Sequence, residues 1–237
     1  MKRSLSICLL MMGLALNANA QFTDGTAATK ASQESFTTPT EDWDELKFSI
    51  ESNAFHMPDI EFADGDTYEN IPVSASIAVK YLHNFAINKK KPIFLNTGFG
   101  IKWGMYDNKM ERKIYEYTGI AREKLSLLTF EIPANIGYRF DMKNPDWKIF
   151  LYTGLYLRMH IMGKLEAEDA SGYSEEANVF DKDEFYPTFE HFQCGWQLGC
   201  DFQYQQFVFG WSYGIDLNKI WIDTRVFTSA LNVGYKF

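Results

Sequence analysis

The chain has 237 residues, with 31 acidic against 23 basic side chains and a net charge of −8. That balance argues against nucleic acid as a partner, because phosphate backbones are held by clustered Lys and Arg. Hydrophobic residues make up 46% of the chain and aromatics 16%, and the length suits one domain.

Residues 1–20 read as an export signal peptide. Lys2 and Arg3 precede an apolar run, Ile7 to Leu16, and Ala18-Asn19-Ala20 stands before Gln21. The run is too short to span a bilayer, and no later stretch offers the roughly 18 uninterrupted apolar residues of a spanning helix. Residues 21–45 are rich in Thr, Ser and Ala without periodicity, and are expected to form a flexible periplasmic segment.

From Leu46 onward, eight runs alternate bulky apolar with small or polar residues: 46–56, 72–83, 92–105, 125–140, 147–162, 189–203, 206–217 and 226–237. Period-2 alternation of this length marks strands. In the seventh run, Phe207, Phe209, Trp211, Tyr213 and Ile215 oppose Val208, Gly210, Ser212, Gly214 and Asp216. The last run ends on Phe237. Long or polar connections (57–71, 106–124, 163–188, 218–225) follow the odd runs, and shorter ones (84–91, 141–146, 204–205) follow the even runs. The pattern predicts an all-β fold: an eight-stranded antiparallel up-and-down transmembrane β-barrel over 46–237, in a bacterial outer membrane, with both termini periplasmic. The bulky face should meet lipid, because an eight-stranded interior would be overfilled by so many large side chains. Glycine and serine on the other face suit a crowded lumen.

Thr129–Phe140 (TFEIPANIGYRF), together with PIFLNTGFGIKWG, KIFLYTGLYL and the closing ALNVGYKF, resembles the strands of PorT-like outer-membrane β-barrel proteins of diderm bacteria. The resemblance implies an eight-stranded barrel without cofactor, in a family with some members tied to secretion or surface display. Pro133 cannot donate to a ladder, so it is expected to mark a bulge.

Parity turns Lys80, Lys102, Glu131, Arg139, Arg158, Asp201, Asp216 and Lys236 inward. Lys102, Glu131 and Arg158 stand at similar heights on three consecutive strands and predict a Lys–Glu–Arg network across the lumen. The connections carry acid, including Asp64, Asp66, Glu168, Asp169, Asp181 and Asp183. Carboxylate clusters bind Ca²⁺ or Mg²⁺ and would bridge to lipopolysaccharide through them, but neither stretch has the full Ca²⁺-loop spacing, so solvated acidic loops are expected. Cys194 and Cys200, six apart in one run, are roughly 20 Å apart at about 3.3 Å per residue, beyond disulfide reach.

Gly210-Trp211-Ser212-Tyr213-Gly214 matches G-x-S-x-G, yet it falls within a strand rather than at the strand–helix turn that motif needs. The expectation is a non-enzymatic protein without metal or cofactor, acting at the surface or within an envelope or secretion assembly. Its partners would be outer-membrane lipid, lipopolysaccharide and an envelope protein, and the favoured state is a monomer. A lipid A-modifying enzyme and a narrow channel are the alternatives.

Overall fold

The structure, a computed structural model, describes residues 41–57, 60–61, 67–68, 72–88, 90–181, 188–221 and 223–237. The signal peptide, nearly all of the 21–45 segment, Asp64, Asp66 and Asp183 lie outside the described residues.

Eight long strands form the wall: β1 (Trp43–His56), β2 (Val73–Ala86), β3 (Ile93–Lys109), β4 (Arg122–Asp141), β5 (Trp147–Glu168), β6 (Phe192–Tyr204), β7 (Phe207–Asp216) and β8 (Arg225–Lys236). Each pairs antiparallel with its neighbours in sequence, and β1 pairs with β8, so the sheet closes on itself. Closure satisfies the backbone groups within the wall, as a span through hydrocarbon requires.

The two faces separate as alternation demands. On β1, Lys47, Ser49, Glu51 and Asn53 are buried inside, whereas Ile50 is 70% exposed outside. Its partner across β8, Leu231, is 67% exposed. Phe48, Ile77, Ile101, Leu157 and Phe209 continue this outward apolar belt. A charged interior beneath an apolar exterior is the inverse of a soluble barrel, and the belt is the lipid-facing surface of a transmembrane barrel. Aromatic pairs ring the end that carries the short turns: Tyr138–Phe140, Trp147–Tyr204 and Phe207–Tyr235, with centroids 4.6, 4.8 and 5.7 Å apart. Amphipathic rings favour that interfacial level.

Two details differ from expectation. First, β3, β4 and β5 outrun the belt, so residues 106–109, 122–124 and 163–168 are strand rather than loop, and Glu168 closes β5. A further arm, Ser174–Asn178, pairs back onto β5. The extension's outward residues are charged, as suits water, while its inward Tyr106 and Leu165 are buried in an apolar cluster with Leu125 and Leu127. A seven-residue helix, α1 (Arg112–Thr118), links β3 to β4; it ends on Gly119, whose φ of 77° places it in the left-handed region. The wall also starts earlier than expected, at Trp43.

Second, Pro133 makes no bulge. Its pairing to Tyr156 on β5 is regular, and on the other side Thr97↔Ala134 and Gly100↔Glu131 keep one register across a short interruption. The Thr97 hydroxyl donates to the Pro133 carbonyl at 2.8 Å, which holds the two strands together there. The register shift lies instead between Leu128 and Thr129, where Ile161 is left without a partner on β4. Met159 and Ile161 both face outward, then Met162 does so again at 64% exposure, so parity on β5 inverts at the bulge.

As a crowded lumen requires, several inward glycines are there for close approach. A Cβ on Gly195 would lie 2.0 Å from the Tyr156 ring, and one on Gly199 2.3 Å from the Tyr152 ring. Their absence lets two tyrosines lie across the neighbouring strand inside a narrow lumen.

Candidate functional site

The interior is organised in layers. At the short-turn end, Trp43, Phe94 and Phe150 form an aromatic cluster with centroids 5.2 to 5.6 Å apart. Lys47 comes next, 2.5 Å from Asp201 and 3.3 Å from Glu45. Four amides from β2, β3, β4 and β6 form a relay in which Asn96 donates to Asn84, Asn135 to Asn96 and Gln197 to Asn135, each at 2.9 Å.

The charged centre follows. Arg158 Nε donates to Glu131 at 2.7 Å and Nη1 to Asp216 at 3.1 Å, while Tyr156 donates to the same Asp216 oxygen at 2.5 Å. Lys80 Nζ bridges Glu131 at 2.8 Å and Glu51 at 3.2 Å. Lys102 Nζ meets Glu51 at 2.8 Å and donates to Asn53 at 2.6 Å. Three carboxylates and three cations thus compensate one another; Glu131 is 1% exposed and Asp216 fully buried. Such compensation is what permits charges away from water.

Of the three expected members, Arg158 and Glu131 are in direct contact, but Lys102 pairs with Glu51, and Lys80 takes its place on Glu131. Parity on the first strand is the signal for what was missed: Lys47 and Glu51 share a face with Ser49 and Asn53.

Above the charged centre, His160 Nδ1 lies 2.8 Å from the Thr129 hydroxyl and Nε2 2.8 Å from Gln193 Oε1. An apolar cluster of Phe55, Tyr106, Leu125, Leu127, Phe189 and Ile220, with Val179 and Val226, then closes the end with the long connections. Between His160 and this cluster is a space of about 30 Å³, and a second of about 10 Å³ adjoins Trp43. Both are sized for water.

The projecting sheet is the other candidate region. Arg122 forms a bidentate pair with Asp107, with its Nε at 2.7 Å, and Nη1 lies 3.8 Å from Glu168. Lys124 meets Glu166 at 2.7 Å, and Lys164 meets Glu176 at 2.6 Å. The hydrogen bond from Arg122 holds the Asp107 carboxyl below its ordinary range, and that from Lys124 does the same for Glu166. Asp169 Oδ1 accepts from the Ser171 N–H at 2.7 Å, the Ser171 hydroxyl at 2.7 Å and the Tyr173 N–H at 3.0 Å. That carboxylate builds the turn into the arm, and the Ser171 hydroxyl chiefly keeps its pKa low. Asp181 begins the stretch beyond the arm, its N–H on the Asn178 carbonyl at 3.1 Å. Among the described residues, no group of three or more His, Cys, Asp or Glu side chains is arranged to hold a metal ion. Cys194 and Cys200 are free thiols, and Ser212 lies within β7, its hydroxyl accepting from Asn232 at 3.3 Å.

The sequence matches no protein-family model and no curated relative, so the PorT-like resemblance has no family-model match behind it. Among solved structures, the chain is similar to Ail of Yersinia pestis, the attachment invasion locus protein, in complex with the heparin analogue sucrose octasulfate. The TM-score is 0.44 at 14% identity, over 84% of this chain and 100% of that one. For Neisserial surface protein A the values are 0.35 and 12%, over 84% and 98% of the two chains. For the translocator domain of the autotransporter NalP from Neisseria meningitidis they are 0.39 and 11%, over 99% and 98%. The fold assignment rests on the strand pairing itself.

Proposed function

We propose that this barrel acts without catalysis in the bacterial outer membrane, presenting its projecting end to a partner rather than passing solute through its lumen. In this reading both termini are periplasmic and the long connections face outward. Outer-membrane lipid and lipopolysaccharide surround the belt of a monomer, and an envelope or external protein meets the projecting sheet. The PorT-like likeness of Thr129–Phe140 belongs to the same reading.

The observation that carries it is the lumen, a neutralised charge cluster held between two apolar clusters, with water-sized spaces beside it among the described residues. A conducting pore needs a continuous wet path, and a lipid-modifying enzyme needs a reactive group at the lipid edge. The six charges at the centre of the lumen are spent on one another.

The test is refolding of the mature chain into planar bilayers, with mass analysis of lipid A from expressing cells alongside. Silent membranes and unchanged lipid A support the proposal. Stepwise conductance would replace it with the channel, and a lipid A mass change with the enzyme.

A further inference from the structure

The sheet that projects beyond the lipid belt ends on an arm whose second side is unpaired among the described residues. We propose that Ser174–Asn178 is a docking edge, onto which an extended polypeptide segment carrying Lys or Arg adds as a further strand. The inference rests on the outward-presenting reading above and names its partner by chemistry.

The arm pairs with β5 from Lys164↔Asn178 to Glu168↔Ser174 and is the last strand of its sheet. The phase of the ladder is fixed at both ends. The Asp169 N–H donates to the Tyr173 carbonyl at 2.9 Å, and the Val179 N–H to the Gly163 carbonyl at 3.2 Å. Antiparallel bonding alternates, so residues 175 and 177 exchange bonds with β5. The N–H and C=O of Ser174 and Glu176 therefore point away from it. Ser174, Glu175 and Glu176 are all exposed, so these groups meet water. Unpaired backbone groups in a row are a template for strand addition, in which the main chain gives affinity and alternate side chains give specificity.

Charge selects the occupant. One cross-strand row on the outer face runs Asp107↔Lys124↔Glu166↔Glu176. The signs alternate until the arm, where two carboxylates stand directly opposite each other, a disfavoured pairing in a sheet. Lys164 lies 2.6 Å from Glu176, but both side chains are 56% exposed, and ion pairs of that kind are weak. A cation on a strand beyond Glu176 would restore the alternation. The same charges disfavour a second copy of this chain, since two arms edge to edge would set glutamate against glutamate. The edge is also held in place before any partner arrives, by the Asp169 turn and by its ladder to β5.

The test uses the refolded mature chain in zwitterionic detergent, titrated with a nonapeptide of alternating lysine and threonine. A peptide of the same charge, N-methylated at alternate amides, serves as the comparison. The expected result is saturable binding that weakens roughly tenfold on N-methylation and by a similar factor in Glu176→Pro. That proline removes an N–H pointing away from β5, so the arm keeps its own ladder. Glu176→Gln should weaken binding less, and hydrogen exchange at the Ser174 and Glu176 amides should slow on binding. Equal binding of both peptides, unchanged exchange at these amides, or no binding overturns the docking edge. Conductance is recorded on the same preparation. If the edge fails while the bilayer stays silent, the outward-presenting reading stands; if the barrel conducts, that reading falls by itself.

Discussion

The centre of the lumen and the projecting sheet are built from the same side chains in the same cross-strand geometry, yet they differ in what those charges are worth. Inside, Glu131 is shut away from water with Arg158 and Lys80 against it at 2.7 and 2.8 Å. Outside, Glu166 meets Lys124 at the same 2.7 Å, but in solvent. Distance is matched and dielectric is not. Water screens the outer pairs to near nothing, whereas in the lumen a lost partner strands a charge that cannot be hydrated.

The largest expected effect breaks the inner network. Glu131→Gln leaves Arg158 and Lys80 short of a counter-charge and should cost about 3–5 kcal/mol in denaturant unfolding from detergent. A loss below about 1 kcal/mol, the level of a surface pair, would mean that the interior charges are as well hydrated as the exterior ones.

Next comes the wall between the two regions. Phe209→Arg on the lipid face should cost roughly 2–4 kcal/mol in bilayer refolding, while Ser212→Arg, on the opposite face, should not follow the same depth rule. Equal costs would undo the assignment of faces.

In the projecting sheet, Glu166→Gln should leave the global unfolding midpoint unchanged, and salt should erase any residue of an effect. Its pH response has a definite sign. Asp107 and Glu166 have lowered pKa values in the folded state, so their pairs stabilise fully above the ordinary values of 3.8 and 4.5. That contribution fades as pH falls through the lowered folded values. Protection factors of the amides in 106–109 and 122–124, the exchange rates taken relative to the intrinsic rate at each pH, should therefore be flat from neutral pH to about pH 5 and fall only in stronger acid. Protection lost near neutral pH would show that other groups hold the sheet.

The last effect has the opposite sign and lies in a turn outside both charge sets. Gln205, in the two-residue turn between β6 and β7, has φ of 53°. Gln205→Gly should stabilise the barrel by about 0.5 kcal/mol, because the left-handed strain it relieves slightly exceeds the backbone entropy it adds. A destabilised variant would mean that the glutamine side chain matters more than its backbone.

Strand number, antiparallel order and the inverted faces follow from sequence alone, because alternation is local: each side chain's face is set by its neighbours two residues away. Arg158, Glu131 and Asp216 are placed inward by that rule, and the structure finds them there. Parity cannot say who meets whom. Lys102 pairs with Glu51 rather than Glu131, since shear between strands, not rank along each one, sets which side chains share a height. The rule also fails where the backbone breaks it. Ile161 carries no sequence mark as a bulge, while Pro133 carries one and makes none, because the Thr97 hydroxyl and an unbroken pairing to β5 hold the register there. The projecting sheet was illegible for a related reason. Its charged outer residues read as loop, and the burial of Tyr106, Leu125, Leu127 and Leu165 in one cluster, which brings β3, β4 and β5 together, shows only in the structure. Sequence determined the faces of the wall, and tertiary structure decided the pairings, the bulge and the edge.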